Sequence, residues 1–275
     1  MVIEQNLYYV DKTMFIPELE KQPRNLFFIR PRRFGKSIFL SMLYSYYDCA
    51  QSHKFQSLFG NLWIGQHPTP LQGKYQVLFL DFSQITGNID KLETKFNSYL
   101  SINLDAFVRQ YSEYYQAEME EILAQEDFEE KMELIFKAAK AHQYHLYLII
   151  DEYDNFTNVI LNERGEKVYH AITHADGFYR DVFKKFKGNF ERIFMMGVSP
   201  VTLSNPPPDS CASAAEPSPA SSQIYPEYCR CSWISSRMRG SSSTIRIFAI
   251  KQDSSLSYIS IQLYFNARIG KSCEF

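Results

Sequence analysis

The chain reads Leu26-Phe27-Phe28-Ile29 and then Arg30-Pro31-Arg32-Arg33-Phe34-Gly35-Lys36-Ser37. The apolar run predicts a strand, and apolar residues at helical spacing follow Ser37 directly. A Gly-Lys-Ser between a strand and a helix is typical of a loop that binds nucleotide phosphates, because its backbone N–H groups and the helix dipole both favour an anion. The loop departs from the usual G-x-x-x-x-G-K-[ST] pattern at Arg30, where the first glycine is expected.

The side chains of this loop have distinct expected roles. Lys36 would contact the β- and γ-phosphates and so take part in catalysis, and the hydroxyl of Ser37 would bind Mg²⁺. The two adjacent arginines could add charge-assisted contacts to the phosphates. The alternative is an accidental Gly-Lys-Ser at a helix start, with those arginines as surface charge. The candidate cofactor-binding residues here are Arg32, Arg33, Phe34, Gly35, Lys36 and Ser37.

An acidic pair follows a second apolar run. Asp151 and Glu152 come directly after Leu146–Ile150, a continuous apolar stretch of the kind that is buried on both faces of a parallel sheet. In a phosphate-loop enzyme the first carboxylate would bind the metal and the second would act as general base. An acidic pair alone could simply end a strand. The interpretation of Asp151 and Glu152 as catalytic residues therefore depends on the Gly-Lys-Ser that precedes them in the chain.

The order of the elements predicts the fold class. The strand Tyr75–Phe82 lies between the loop and the acidic pair, and strands alternate with amphipathic helices along the chain. Helical spacing of apolar residues predicts two long helices between Tyr75–Phe82 and the acidic pair, from Ile89 to about Tyr115 and from Phe128 to His142. This arrangement favours an α/β fold with a parallel central sheet flanked by helices. The intervening strand places it in the additional-strand, AAA-like class of P-loop NTPases.

A fourth strand, Ile193–Met196, is followed by Gly197-Val198-Ser199-Pro200. In such ATPases a polar residue near this strand end senses the γ-phosphate. Ser199 is the nearest hydroxyl and therefore a candidate contact. An ordinary Ser-Pro turn after a strand explains the same residues equally well.

Four motifs together resemble the bacterial AAA-ATPase-like family. They are Tyr8-Tyr9-Val10-Asp11-Lys12-Thr13, Arg30–Ser37, Asp151-Glu152-Tyr153-Asp154 and Gly197-Val198-Ser199-Pro200. The resemblance covers residues 1 to 203 and identifies Arg30 as a family trait. It implies ATP at Lys36 and Ser37, with the metal at Ser37 and Asp151 and the attacking water at Glu152. It gives the first motif no role, and Met196 stands where relatives tend to have threonine.

Composition limits the other function classes. The 275 residues carry a formal net charge of −2, so the overall charge does not indicate a nucleic-acid partner. The N-terminus shows no signal peptide and the apolar runs are short, which predicts a cytoplasmic protein without a membrane partner. Any protein or nucleic-acid partner, and the oligomeric state, stay open.

The composition changes near Leu203. Residues 204–275 are rich in Ser, Pro and Cys, and we predict an irregular tail after a domain at residues 1–203. Three interpretations are a disordered extension, a divergent small domain, or a frame change in the gene, of which we favour the last. Reading the downstream DNA in the other frames tests it.

A frame change would truncate the chain. Members of the family often carry a C-terminal PD-(D/E)XK nuclease domain, which this chain would then lack. Sheets of the additional-strand class commonly have the order 5-1-4-3-2, and strand five would come from sequence after residue 203. Without it, Leu26–Ile29 becomes an unpaired apolar edge that invites aggregation.

The sequence therefore predicts a truncated, Mg-dependent ATPase. Its cofactors would be ATP and Mg²⁺. The alternatives are a nucleotide-gated interaction module with little turnover, and a fragment without function.

Overall fold

The computed structural model describes residues 10–29, 35–85, 91–155, 160 and 178–198, together with three strands between residues 233 and 264. The helices are α1 (Ile16–Glu20), α2 (Lys36–Tyr47), α3 (Phe55–Phe59), α4 (Trp63–Gln66), α5 (Leu92–Gln110), α6 (Met119–Ala124), α7 (Phe128–His142) and α8 (Phe178–Asn189). The strands are β1 (Asn25–Ile29), β2 (Gln76–Asp81), β3 (Leu146–Asp151), β4 (Arg192–Gly197), β5 (Trp233–Gly240), β6 (Ser243–Gln252) and β7 (Leu256–Tyr264). Short 3₁₀ turns lie at Thr13–Phe15, Cys49–Lys54 and Phe82–Gln84.

The first four strands form a parallel sheet in the order β2-β3-β4-β1. Asp81 at the end of β2 is in register with Asp151 at the end of β3, and Ile29 at the end of β1 is in register with Gly197 at the end of β4. The carboxyl ends of all four strands therefore meet at one edge of the sheet. This confirms the predicted α/β class and its parallel centre.

Helices cover both faces of this sheet. Successive side chains of a strand point to opposite faces, so Phe194 and Met196 of β4 pack in one core with α1 to α4, while Ile193 and Met195 pack in the other with α5 to α8. All six residues of β3 are buried, as the continuous apolar run predicted. The strand that ends in the acidic pair is thus central and rigidly enclosed.

The structure corrects the length of one helix. The sequence predicted a helix over residues 89–115, but α5 ends at Gln110. The hydroxyl of Tyr111 donates to Asp48 Oδ1 at 2.8 Å, and the hydroxyl of Tyr115 donates to Gln76 Oε1 at 2.7 Å. These bonds draw the two tyrosines toward the sheet, and the chain follows turns rather than a helix.

The tail contains three strands where the sequence predicted irregular structure. β7 lies parallel beside β1, with Phe27 opposite Ser260, and β6 pairs antiparallel with both β5 and β7. Strands therefore form within the segment predicted to be irregular, and β1 has a neighbouring strand on both sides. Residues 243–252 are rich in β-branched residues, which favour strands, and this local pattern is hidden in a Ser-rich composition. β7 takes the position expected of strand five.

Candidate functional site

Gly35 leads the chain into α2 at the carboxyl edge of the sheet. Its φ of 72° and ψ of 26° lie in the left-handed region, which glycine adopts without steric cost. Helix α2 begins at Lys36 and has no side-chain cap at its N-terminus. The first N–H groups of a helix lack partners within the helix. They are therefore available to an anion at this edge.

Lys36 places a buried ammonium beside this helix end. The residue is 7 % exposed, and its Nζ has no hydrogen-bond partner among the residues that the structure describes. Glu152 Oε1 lies 3.8 Å from Nζ, which is close enough for an ion pair and too far for a hydrogen bond. Because a buried charge without hydrogen bonds is costly, the group is well suited to an anionic ligand.

Ser37 and Asp151 bring two oxygen atoms together across the site. Ser37 Oγ donates to Asp151 Oδ2 at 3.1 Å, and Asp151 Oδ1 accepts the N–H of Glu152 at 2.9 Å. Burial raises the pKa of Asp151 above its ordinary value, and the charge of the neighbouring Asp81 adds to this. The Ser37 hydrogen bond and the Lys36 charge oppose the rise in pKa. The carboxyl group is thus partly desolvated and next to a hydroxyl, as in a cation site.

Glu152 sits in a strained turn after β3. Its φ of 50° is left-handed, a conformation that costs a non-glycine residue about 1–2 kcal/mol. The next residue, Tyr153, donates its N–H to Met196 O at 3.2 Å, which ties the turn to β4. Strain of this kind is concentrated at functional sites, and here it holds the Glu152 carboxylate beside Lys36.

Asp154 joins the acidic motif to the end of β4. It is 2 % exposed, and both carboxylate oxygens lie 3.1 Å from the N–H of Val198, which donates to them. A Cβ on Gly197 would lie 2.4 Å from Asp154 Oδ1 and 2.6 Å from Tyr153 Cε1, so only glycine fits. The sequence alone predicted no role for Asp154 or Gly197, although both residues belong to the motifs that resemble the family.

The structure brings five of the sequence-predicted site residues together at one edge of the sheet. They are Gly35, Lys36, Ser37, Asp151 and Glu152. The other four candidates, Arg32, Arg33, Phe34 and Ser199, lie outside the described residues. Within the described part of the chain, no three His, Cys, Asp or Glu side chains form a group suited to a metal ion. A metal bound here could take oxygen ligands from Ser37 and Asp151 and would need the rest from water or from a bound ligand.

Comparison with known proteins assigns the chain to a family. The family model described as predicted AAA-ATPase matches residues 1–205. The chain belongs to this predicted AAA-ATPase family. The matched range contains all five residues that the structure brings together. No curated protein matches the chain. Among its described residues, no helix has both the length and the apolar character needed to cross a membrane.

Proposed function

We propose that the chain binds Mg-ATP at Lys36, Ser37, Asp151 and Glu152 and hydrolyses it. The observation that carries this proposal is the Lys36 ammonium, which is 7 % exposed, has no hydrogen-bond partner among the described residues and lies at the start of α2. Phosphate oxygens would supply the missing acceptors. Membership of the predicted AAA-ATPase family supports a nucleotide as the source of the phosphates.

Ser37 and Asp151 are the proposed ligands of Mg²⁺. Mg²⁺ prefers oxygen ligands and usually takes only one or two from the protein, with the rest from water and phosphate. Ser37 Oγ and Asp151 Oδ2 lie 3.1 Å apart and fit this requirement. A bound Mg²⁺ would neutralise charge on the phosphates. Asp151 would then have to be ionised, although burial raises its pKa.

Glu152 is the proposed general base. Its carboxylate is next to Lys36, with 3.8 Å between Oε1 and Nζ, and its side chain keeps 28 % exposure. Phosphate contacts at Lys36 would compete with this ion pair and leave the carboxylate able to accept a proton from water. The strained backbone of Glu152 fixes where that carboxylate can act.

The remaining candidate residues complete the proposed site. We assign Arg32, Arg33 and Phe34 to the loop around the phosphates, and Ser199 to a contact with the γ-phosphate. Asp154 supports this last assignment, because it fixes Val198, the residue before Ser199. On this view residues 1–203 form the ATPase domain, and residues 204–275 add strands at its edge.

Replacing Glu152 by glutamine tests hydrolysis. Glu152→Gln should reduce steady-state ATP turnover by about 100-fold or more, which is the usual contribution of a general base, and should leave ATP binding intact. Glu18→Gln is the matched control, since Glu18 forms an exposed ion pair with Lys21. Unchanged turnover in Glu152→Gln would contradict the assignment. ATP binding without turnover in the parent chain would instead favour the nucleotide-gated interaction module.

A further inference from the structure

The segment before β1 is fastened on both sides of Lys12. Asp11 Oδ1 accepts the N–H of Thr13 at 2.8 Å and its hydroxyl at 2.7 Å, and Asp11 Oδ2 accepts the N–H of Trp63 at 2.7 Å. Thr13 Oγ1 in turn accepts the N–H of Ile64 at 3.1 Å. Asp11 and Thr13 thus bind the N-terminus of α4.

This anchoring directs Lys12 toward the phosphate-binding loop. Its Nζ lies 3.9 Å from the position that a Cβ on Gly35 would occupy, and the residue is half-buried. Gly35 directly precedes Lys36, so the Lys12 ammonium lies close to the start of α2, the helix that begins at Lys36. The Tyr8–Thr13 motif, which had no role from sequence, contributes one of them.

We propose that Lys12 is a second phosphate-binding cation of the nucleotide site, an inference that rests on the function proposed above. The evidence for an anion at this place is independent of Lys12, since the Lys36 ammonium is buried and has no hydrogen-bond partner within the described residues. The ammonium of lysine is a compact charge on a flexible stem, and it can follow a phosphate over a short distance. Asp11 and Thr13 fix the backbone from which that stem extends.

If Lys12 binds phosphate, its effect on affinity should depend on the negative charge of the nucleotide. A second cation at the loop favours ligands with more negative charge at the phosphates, so its contribution should grow from AMP to ADP to ATP. A merely structural Lys12 would affect all three nucleotides alike through the stability of the fold. The dependence on phosphate number therefore separates the two roles.

The experiment compares three lysine-to-methionine variants of the full chain. Fluorescent ATP, ADP and AMP analogues are titrated against the parent, Lys12→Met, Lys36→Met and Lys21→Met. Lys12→Met should weaken ATP binding about tenfold, equivalent to one charge-assisted hydrogen bond, and should barely change AMP binding. Lys12→Arg should restore most of the affinity because it keeps the charge. Lys21, exposed and paired with Glu18, is the control.

The outcomes separate this inference from the proposed function. Normal ATP affinity in Lys12→Met, with impaired Lys36→Met, would overturn the role of Lys12 alone. Lack of ATP binding by the parent chain would overturn both. A second experiment needs no variant: the lysines of the parent protein are acetylated with and without ATP, and mass spectrometry measures how far each lysine has reacted. ATP should protect Lys12 and leave Lys21 reactive, and equal reactivity of Lys12 with and without ATP would also overturn the inference.

Discussion

At the scale of single residues, Asp151 shows a conflict between stability and function. Burial raises the pKa of this carboxyl group above its ordinary value, so the folded protein binds its proton more tightly than the unfolded chain does. The resulting stabilisation is complete at low pH and is lost as the pH rises through the raised pKa. Ionisation of Asp151 in the folded protein is therefore costly, and a bound cation would offset that cost.

Asp151→Asn should stabilise the fold and abolish the response to metal. Asparagine avoids the buried charge, so the Tm at pH 7 without nucleotide should rise by about 2 °C. The gain should shrink as the pH falls toward the ordinary pKa of aspartate. Mg-ATP should raise the Tm of the parent and not that of the variant.

Thermal melts at two pH values check this expectation. Asp181→Asn is the control, because Asp181 forms an exposed ion pair with Lys184 on α8. A lower Tm for Asp151→Asn at pH 7, together with a full response to Mg-ATP, would contradict the assignment of Asp151.

At the scale of elements, the turn after β3 and the end of β4 form one unit. Tyr153 donates its N–H to Met196 O, and Asp154 accepts the N–H of Val198. Gly197 lies between these contacts, where a Cβ would be 2.4 Å from Asp154 Oδ1. Any side chain at residue 197 must therefore push the two elements apart.

Gly197→Ala should destabilise the protein by about 2 kcal/mol, as overpacking of a buried site usually does. The matched control is Gly188→Ala in α8, where an added Cβ would meet nothing within 4 Å. That change should be neutral or stabilise the helix by up to about 1 kcal/mol. Urea unfolding measures both values. Equal free energies of unfolding for the two variants would contradict this description of the β3–β4 contact.

Apolar spacing in the sequence predicted the bounds of a helix correctly where contacts within that helix and at its start determine them. Helix α7 was predicted over residues 128–142 and occurs there, since Asp127 accepts the N–H of Glu129 and starts the helix. Helix α5 was predicted too long because Tyr111 and Tyr115 bond to Asp48 and Gln76, far away in sequence. Helical spacing alone cannot reveal such tertiary contacts.

At the scale of the whole molecule, the parallel sheet assembles the site. Strand alternation in the sequence predicted a parallel central sheet, and Lys36, Ser37, Asp151 and Glu152 meet at its carboxyl edge. The strands of the tail, of which β7 pairs with β1, were missed because the Ser-rich composition of the tail conceals them. Lys12 was also missed, since its approach to the loop depends on anchoring by α4.

Equilibrium binding of Mg-ATP to the full chain is the most direct test of this account. Calorimetric titration with and without Mg²⁺ should show one ATP bound per parent chain, more tightly when Mg²⁺ is present. Lys36→Met should lower the affinity at least about tenfold, while Lys21→Met, which alters an exposed ion pair, should match the parent. Equal ATP affinity in the parent and in Lys36→Met would contradict the central claim.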